Sequence, residues 1–180
     1  GPRVLVAGFG GGGGRILKAR DRTAWGHRGA RVWFDSDACC EDLAGDAIEG
    51  RRLGASLLRG LGCGGDADKG RAAVQHDRRV VAVMAKSFDL VILIGCLGRG
   101  LASGALPEAA SVMAEQGLTT VAFVSLPFDL EGQEAGRKAR EAVRRLREGC
   151  HAVVEMPNDL LLQAGQADDR IDRLFSLSDE

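Results

Sequence analysis

The stretch Val4-Leu5-Val6-Ala7-Gly8-Phe9-Gly10-Gly11-Gly12-Gly13-Gly14-Arg15 joins a short apolar run to five successive glycines. The apolar run has the length and composition of a buried strand. The glycines leave the backbone free to turn sharply and to approach a ligand closely, because they carry no Cβ. If a helix follows over 16–24, its first N–H groups and the positive end of its dipole point at the same place. The pattern predicts a phosphate-binding turn in a nucleotide-binding α/β domain.

Composition excludes several classes of protein. The chain has 180 residues, enough for one domain with a sizeable core, and its net charge of −1 does not favour a nucleic acid partner or an acidic membrane surface. No apolar segment approaches the roughly 20 residues of a membrane span. The five cysteines lack CxxC spacing, which favours reduced thiols and a cytoplasmic location, and the three histidines lack metal-ligand spacing.

Strand-like and helical patterns alternate along the chain. Such alternation predicts βαβ units, and therefore an α/β fold with a Rossmann-like, mostly parallel sheet and helices on both faces. The predicted strands are 3–7, 30–34, 88–95, 119–125 and 150–155, and the predicted helices are 13–24, 66–86, 104–117, 132–149 and 167–177.

Three glycine-rich stretches, 8–14, 59–65 and 95–104, fall where loops at the carboxyl ends of the strands are expected. Several such loops at one rim suit a polyphosphate. Asp35 supports a rival interpretation, because an acidic residue after the second strand holds the ribose in NAD-binding folds, and residues 8–13 satisfy GxGxxG. NAD binding leaves the second and third stretches unexplained.

Five motifs carry a resemblance to a known family. Residues 8–14 resemble the GVGGGGG loop of FtsZ, 35–38 its NTDA, 59–66 its RGLGAGANP, 126–132 its KPFxFEG and 156–161 its IPNDxLL. The motifs occur in the family's order and at its spacing. Over 3–180, the chain therefore resembles the N-terminal nucleotide-binding domain of the tubulin/FtsZ superfamily.

The resemblance implies a site for GTP or GDP, with Mg²⁺ as a candidate companion ion, and it assigns no catalytic residue. Glu131 would hydrogen-bond the ribose, Phe175 would stack on the base, and Asp179 would accept from N1–H and the 2-amino group of guanine. An ordinary core aromatic is the alternative for Phe175. The nucleotide-binding residues so implied are Gly10, Gly11, Gly12, Gly13, Gly14, Arg15, Gly98, Gly100, Leu101, Ala102, Ser103, Gly104, Glu131, Asn158, Phe175 and Asp179.

The third glycine-rich stretch departs from the family. The signature GGGTGTG reads Gly-Arg-Gly-Leu-Ala-Ser-Gly at 98–104, so Leu101 replaces a threonine and Ala102 a glycine. Arg99 adds a cation that would contact phosphate or face solvent. Two further departures are Arg15 in place of an asparagine and Ala135 in place of an arginine. Together they indicate an altered phosphate site.

The resemblance also implies that residue 180 lies inside the central helix of the FtsZ fold. The second domain and the acidic loop that reaches a neighbour's nucleotide would then be absent, and we expect little or no GTP hydrolysis by this chain alone. The leading hypothesis is a self-assembling guanine-nucleotide-binding module of a cytoskeletal, cell-division or membrane-remodelling system. It would form a homo-oligomer or filament, with any membrane link made by other segments or by a partner.

The alternative is a pseudo-GTPase scaffold that acts through protein–protein contacts without nucleotide. Leu101, Ala102 and Ala135 support it. The substitution Gly12→Asp is expected to separate the two hypotheses: the binding hypothesis predicts loss of assembly with the fold retained, and the scaffold hypothesis predicts little effect on assembly.

Overall fold

The structure is a computed structural model that describes residues 1–19, 29–43, 47–59 and 61–157. The strands are β1 (Val4–Phe9), β2 (Gly29–Asp35), β3 (Glu49–Arg52), β4 (Leu90–Cys96), β5 (Thr119–Leu126) and β6 (Ala152–Pro157). The helices are α1 (Gly10–Ala19), α2 (Cys39–Leu43), α3 (Ala55–Leu58), α4 (Ala67–His76), α5 (Arg78–Ala85), α6 (Ala102–Glu115) and α7 (Gln133–Gly149), with a 3₁₀ turn at Asp129–Glu131. Within these ranges no helix combines the length and apolar character needed to cross a bilayer.

The strands form one six-stranded sheet in the order β3-β2-β1-β4-β5-β6, and every neighbouring pair is parallel. Side chains alternate between its two faces, as the pleat requires. Along β1, Leu5 and Phe9 belong to the larger core, which α4, α5, α6 and α7 cover, whereas Val6 belongs to a smaller core with Leu17 of α1. The predicted α/β fold with helices on both faces is confirmed.

The prediction of one helix over 66–86 is wrong, because the helix breaks at Asp77. That residue has φ −104° and ψ 25°, outside the helical region, and it separates α4 from α5. Its Oδ2 accepts a hydrogen bond of 2.6 Å from the backbone nitrogen of Gly54, and this long-range contact fixes the break. Strand β3 and the short helices α2 and α3 are additions that the sequence patterns did not indicate.

The first predicted helix, 13–24, also has a different start, because α1 already begins at Gly10. Residues 20–24 and the predicted helix 167–177 lie outside the described residues.

Helices α4 and α6 cross at very close range. A Cβ on Gly104 would lie 1.7 Å from the backbone oxygen of Ala67, and a Cβ on Gly70 would lie 2.4 Å from that of Leu101. Only glycine fits at either position. This crossing places the N-terminus of α6 beside the carboxyl ends of the central strands.

Candidate functional site

A cavity of about 350 Å³ lies outside the carboxyl ends of the central strands β1 and β4. The strand order reverses there, since β1 connects to β2 on one side and β4 to β5 on the other. Ligands of open α/β sheets bind at such a switch point, in cavities of roughly 300–1,000 Å³. The cavity is lined by Phe9, Gly10, Gly11, Gly12, Arg15, Cys96, Leu97, Arg99, Gly100, Leu101, Ala102, Phe128 and Glu131.

The first wall of the cavity is the turn from β1 into α1. Gly10 has φ +74°, a conformation that side chains rarely adopt, and it turns the chain directly from strand to helix. Trp33 of β2 donates a hydrogen bond of 2.9 Å from Nε1 to the backbone oxygen of Gly10. The glycine run is therefore not an extended loop, since residues 11–14 form the first turns of α1.

The later glycines of the run serve packing of α1 on the sheet. A Cβ on Gly12 would lie 2.3 Å from Cys96 Sγ, one on Gly13 2.9 Å from the backbone oxygen of Ile94, and one on Gly14 2.2 Å from the Trp33 ring. Gly13 and Gly14 are not among the lining residues.

Gly11 differs, because a Cβ there would have no atom within 4 Å. The expectation that Gly12→Asp would retain the fold is thus wrong, because Cys96 occupies the space that the new side chain needs. Gly11 lines the cavity, and a Cβ placed there would meet no clash.

The second wall is the segment from β4 into α6. Gly100, Leu101 and Ala102 line the cavity, and Leu101 and Ala102 are each only 3% exposed. Ser103 Oγ accepts a hydrogen bond of 2.8 Å from the backbone nitrogen of Gly98, so these two predicted site residues brace the segment from outside the cavity lining. Gly104 lies at the crossing of α4 and α6.

The two walls bring two helix N-termini together. A Cβ on Gly10, the first residue of α1, would lie 3.8 Å from the backbone nitrogen of Ala102, the first residue of α6. The first N–H groups of a helix have no intrahelical acceptor, and the helix dipole adds positive potential there. An anion such as phosphate is the ligand that this arrangement favours.

The second glycine-rich stretch lies behind the third and not at the cavity. Lys138 Nζ donates a hydrogen bond of 2.9 Å to the backbone oxygen of Gly65, and a Cβ on Gly65 would lie 4.0 Å from the nitrogen of Gly100. Of this stretch, the structure describes Arg59 and residues 61–65. Residues 61–65 are not among the lining residues. The stretch therefore supports the wall that contains Gly100.

The third wall carries Glu131, in the 3₁₀ turn after β5. Its Oε1 accepts a hydrogen bond of 3.4 Å from the backbone nitrogen of Phe128, and its Oε2 lies 3.3 Å from Nε of Arg99. The side chain of Glu131 is 20% exposed and that of Arg99 is 72% exposed. This ion pair links the second and third walls.

Asp35 does not line the cavity and is 8% exposed. Its Oδ1 accepts hydrogen bonds from the backbone nitrogens of Ser36 at 2.7 Å and Asp37 at 3.4 Å. Burial raises the pKa of the Asp35 carboxyl, and the bonds to Asp37 and Ser36 partly oppose that rise. The carboxylate holds the turn after β2, which does not favour the NAD interpretation.

Some predicted site residues cannot be placed, and some lining residues were not predicted. Asn158, Phe175 and Asp179 lie outside the described residues. Ala135 is 7% exposed, and nearby Arg137 pairs with Glu134 outside the lining. The lining residues that sequence reasoning missed are Phe9, Cys96, Leu97 and Phe128, whereas Arg99 had been considered as a phosphate contact. Phe9 and Leu97 each adjoin a predicted glycine site residue, and Cys96 is the last residue of β4, so those positions were the signal available.

Comparison with known proteins settles the family. The model of the Tubulin/FtsZ family, GTPase domain, matches residues 48–166. The chain belongs to the Tubulin/FtsZ family. Its sheet has the Rossmann-like architecture of that family's GTPase domain.

Solved structures of family members share this fold. An FtsZ mutant from M. jannaschii is 29% identical, with a TM-score of 0.79 over 87% of this chain and 47% of its own. An empty FtsZ dimer from M. jannaschii is 25% identical, with a TM-score of 0.84 over 97% and 52%. A GTPγS-bound protofilament of CetZ2 from Haloferax volcanii is 24% identical, with a TM-score of 0.76 over 87% and 49%. The chain thus spans about half the length of these structures.

Proposed function

We propose that this chain is an FtsZ-like module that binds GTP or GDP in the cavity outside the carboxyl ends of β1 and β4. The observation that carries the proposal is the convergence of the N-termini of α1 and α6 on one cavity. The charged lining residues add to it, because Arg15 and Arg99 outnumber Glu131 and leave the lining with net positive charge. Membership of the Tubulin/FtsZ family supports the same ligand.

In this proposal, the phosphates lie against Gly10, Gly11 and the start of α6, and Glu131 accepts from the ribose hydroxyls. Phe175 and Asp179 contribute the base side of the site, as the resemblance implies, and Asn158 is a further nucleotide-binding residue. The described residues bring together no group of three or more His, Cys, Asp or Glu side chains that would hold a metal ion. Any Mg²⁺ would therefore be held largely by phosphate oxygens and water, as is common for this ion.

The test is calorimetry of GDP and GTP binding with a matched pair of substitutions, Gly11→Asp and Gly11→Ala. We expect Gly11→Asp to weaken binding about tenfold or more, because its carboxylate would face the phosphates. The fold should be retained, since the position is open and acidic residues are favoured at helix N-termini. Gly11→Ala should keep clearly more affinity than Gly11→Asp, because it adds a methyl group at the same position without a charge. Absence of binding by wild-type protein at tens of micromolar, or an unaffected Gly11→Asp variant, would overturn the proposal.

We also propose that this chain alone hydrolyses GTP little or not at all. Glu131 is the one carboxylate among the described lining residues, and in this proposal the ribose hydroxyls occupy it when nucleotide is bound. A site that must position an attacking water needs a group free to do so. Phosphate release under single-turnover conditions should stay at the buffer rate; release well above that rate would contradict this part of the proposal.

Head-to-tail self-assembly is the third part of the proposal. The relatives described as a dimer and as a protofilament support it. We assign the module to a cytoplasmic cytoskeletal, cell-division or membrane-remodelling system, with any membrane link made by other segments or a partner. Sedimentation with GTP, GDP and no nucleotide tests assembly, and a sedimentation coefficient that nucleotide leaves at the monomer value would contradict it.

The pseudo-GTPase scaffold remains the second candidate, and one observation favours it. Leu101, where the family has a threonine, is 3% exposed and packs in the larger core, so its segment offers no hydroxyl at that point. The scaffold hypothesis predicts assembly without nucleotide and no effect of Gly11→Asp on it. The binding hypothesis predicts that the same variant loses both nucleotide and assembly.

A further inference from the structure

Arg99 and Glu131 both line the candidate nucleotide cavity, and their side chains form an ion pair there. The two side chains suit different parts of a nucleotide. A guanidinium matches the oxygens of a phosphate, and a carboxylate matches ribose hydroxyl donors. In the structure the two side chains pair with each other instead, and Arg99 Nε lies 3.3 Å from Glu131 Oε2.

We propose that Arg99 is a phosphate-binding residue that changes partner, leaving Glu131 for a nucleotide phosphate and so releasing the Glu131 carboxylate to the ribose. The inference rests on the proposed function, since it deepens the assignment of the same cavity. It identifies a binding residue at a position where the family signature has glycine.

The two side chains differ in how firmly they are held. Glu131 is 20% exposed and its other carboxylate oxygen accepts from the Phe128 backbone, so it has a support besides Arg99. Arg99 is 72% exposed. Solvent screens the Arg99 end of this ion pair, and Glu131 keeps its bond to Phe128, so exchanging Glu131 for a doubly charged phosphate costs Arg99 little. Arg99 is the member of the pair that leaves.

The backbone around Arg99 also favours the exchange. Gly98 has φ +105° and Gly100 has φ +64°, so residues with unusual freedom flank it on both sides. The segment then enters α6 at Ala102, whose N-terminus faces the same cavity. A phosphate bound at that N-terminus would share the cavity with Arg99, whose long side chain already reaches Glu131 there.

The test compares GDP with guanosine, which has the ribose and base but no phosphate, by calorimetry on the full 180-residue chain. Arg99→Ala should weaken GDP binding about tenfold, the loss expected for one charge-assisted hydrogen bond. Guanosine binding should be unchanged or slightly tighter, because Glu131 is then free. The control is Arg137→Ala, which removes the same charge from an exposed arginine that pairs with Glu134 outside the cavity, and which should leave both ligands unaffected.

A second measurement uses GDP alone, in the background of Glu131→Gln. There Arg99 has no competing partner before binding, so Arg99→Ala should cost about two- to fivefold more affinity than it does beside Glu131. Equal costs in the two backgrounds would overturn the exchange of partners.

The remaining outcomes separate the inference from the proposed function. If wild-type protein binds GDP and Arg99→Ala leaves that affinity unchanged, Arg99 does not bind phosphate, while the proposed function stands. If Arg99→Ala weakens GDP and guanosine equally, Arg99 only positions Glu131, and the inference is overturned. If wild-type protein binds neither ligand, the proposed function fails and the inference fails with it.

Discussion

Trp33 Nε1 donates a hydrogen bond of 2.9 Å to the backbone oxygen of Gly10, and so joins the second strand to the turn from which the cavity is built. The same indole ring leaves no room for a Cβ on Gly14, one helical turn later. Lys18 Nζ lies 4.8 Å from the ring centroid. The Trp33 side chain thus contacts α1 along its length, and its hydrogen bond holds the carbonyl of Gly10, the residue whose positive φ makes the turn.

We predict that Trp33→Phe lowers the free energy of unfolding by about 1–3 kcal/mol, because the buried Gly10 carbonyl loses one hydrogen bond and a smaller ring leaves a gap. GDP affinity should fall severalfold, since the Gly10 turn is less firmly held. Urea unfolding followed by circular dichroism, together with calorimetry, measures both effects. Unchanged stability would show that the hydrogen bond does not support the turn.

Alanine substitutions along the glycine run should have opposite effects. Gly14→Ala should destabilise the fold by about 1–3 kcal/mol or more, because its methyl group overlaps the Trp33 ring. Gly11→Ala, on the open side of the same helix, should be neutral or stabilising by up to about 1 kcal/mol, from the higher helix propensity of alanine. Thermal melts of the two variants compare them directly, and equal destabilisation would contradict this division of the run.

The thiol of Cys96 reports on the cavity that it lines. We predict that GDP slows alkylation of Cys96 by iodoacetamide and leaves that of Cys39, at the start of α2, unchanged. Burial raises the pKa of Cys40 and of Cys150 to about 11, so both should stay largely unmodified at pH 8 and serve as internal references. Peptide mass spectrometry follows each cysteine over time. An unchanged rate at Cys96 under saturating GDP would locate the nucleotide elsewhere.

Asp35 predicts a pH dependence of stability. Burial raises its folded-state pKa above the ordinary value of 3.8, so the folded protein binds this proton more readily than the unfolded chain. The contribution to stability is present below 3.8 and is lost as pH rises through the raised pKa. Asp35→Asn keeps the acceptor for Ser36 and avoids the buried charge. It should therefore be more stable than wild type at neutral pH, with an advantage that disappears in acid.

Urea unfolding of both proteins across that pH range checks the prediction. A variant that is less stable than wild type at neutral pH would show that the ionised carboxylate is preferred where it lies.

The central strands were predictable because a strand that is buried on both faces has a continuous apolar sequence, as in Leu90-Val91-Ile92-Leu93-Ile94. Strand β3, Glu49–Arg52, carries no such run, since an edge strand needs less apolar surface. The break at Asp77 was hidden for another reason. Its neighbours all suit a helix, and the interruption comes from a hydrogen bond to Gly54, which is distant in sequence.

The site was predictable to a similar depth. Turn glycines carry a local signal, so Gly10 could be placed at the end of a strand from the sequence. The atoms that oppose Gly12 and Gly14 belong to β4 and β2, and no local pattern reveals that Gly12 faces Cys96. Likewise the pairing of Arg99 with Glu131 depends on how two loops meet, which only the folded sheet determines.

Strand β3 determines how the described sheet ends on one side. It forms one edge of the sheet, has only four residues, and carries Glu49 and Arg51 bonded to each other along an exposed side. Short, charged edges resist pairing with a strand from another molecule. Pairing of this edge with a strand of another molecule is therefore disfavoured, and the sheet of the described residues is not expected to extend from β3 into an intermolecular ribbon.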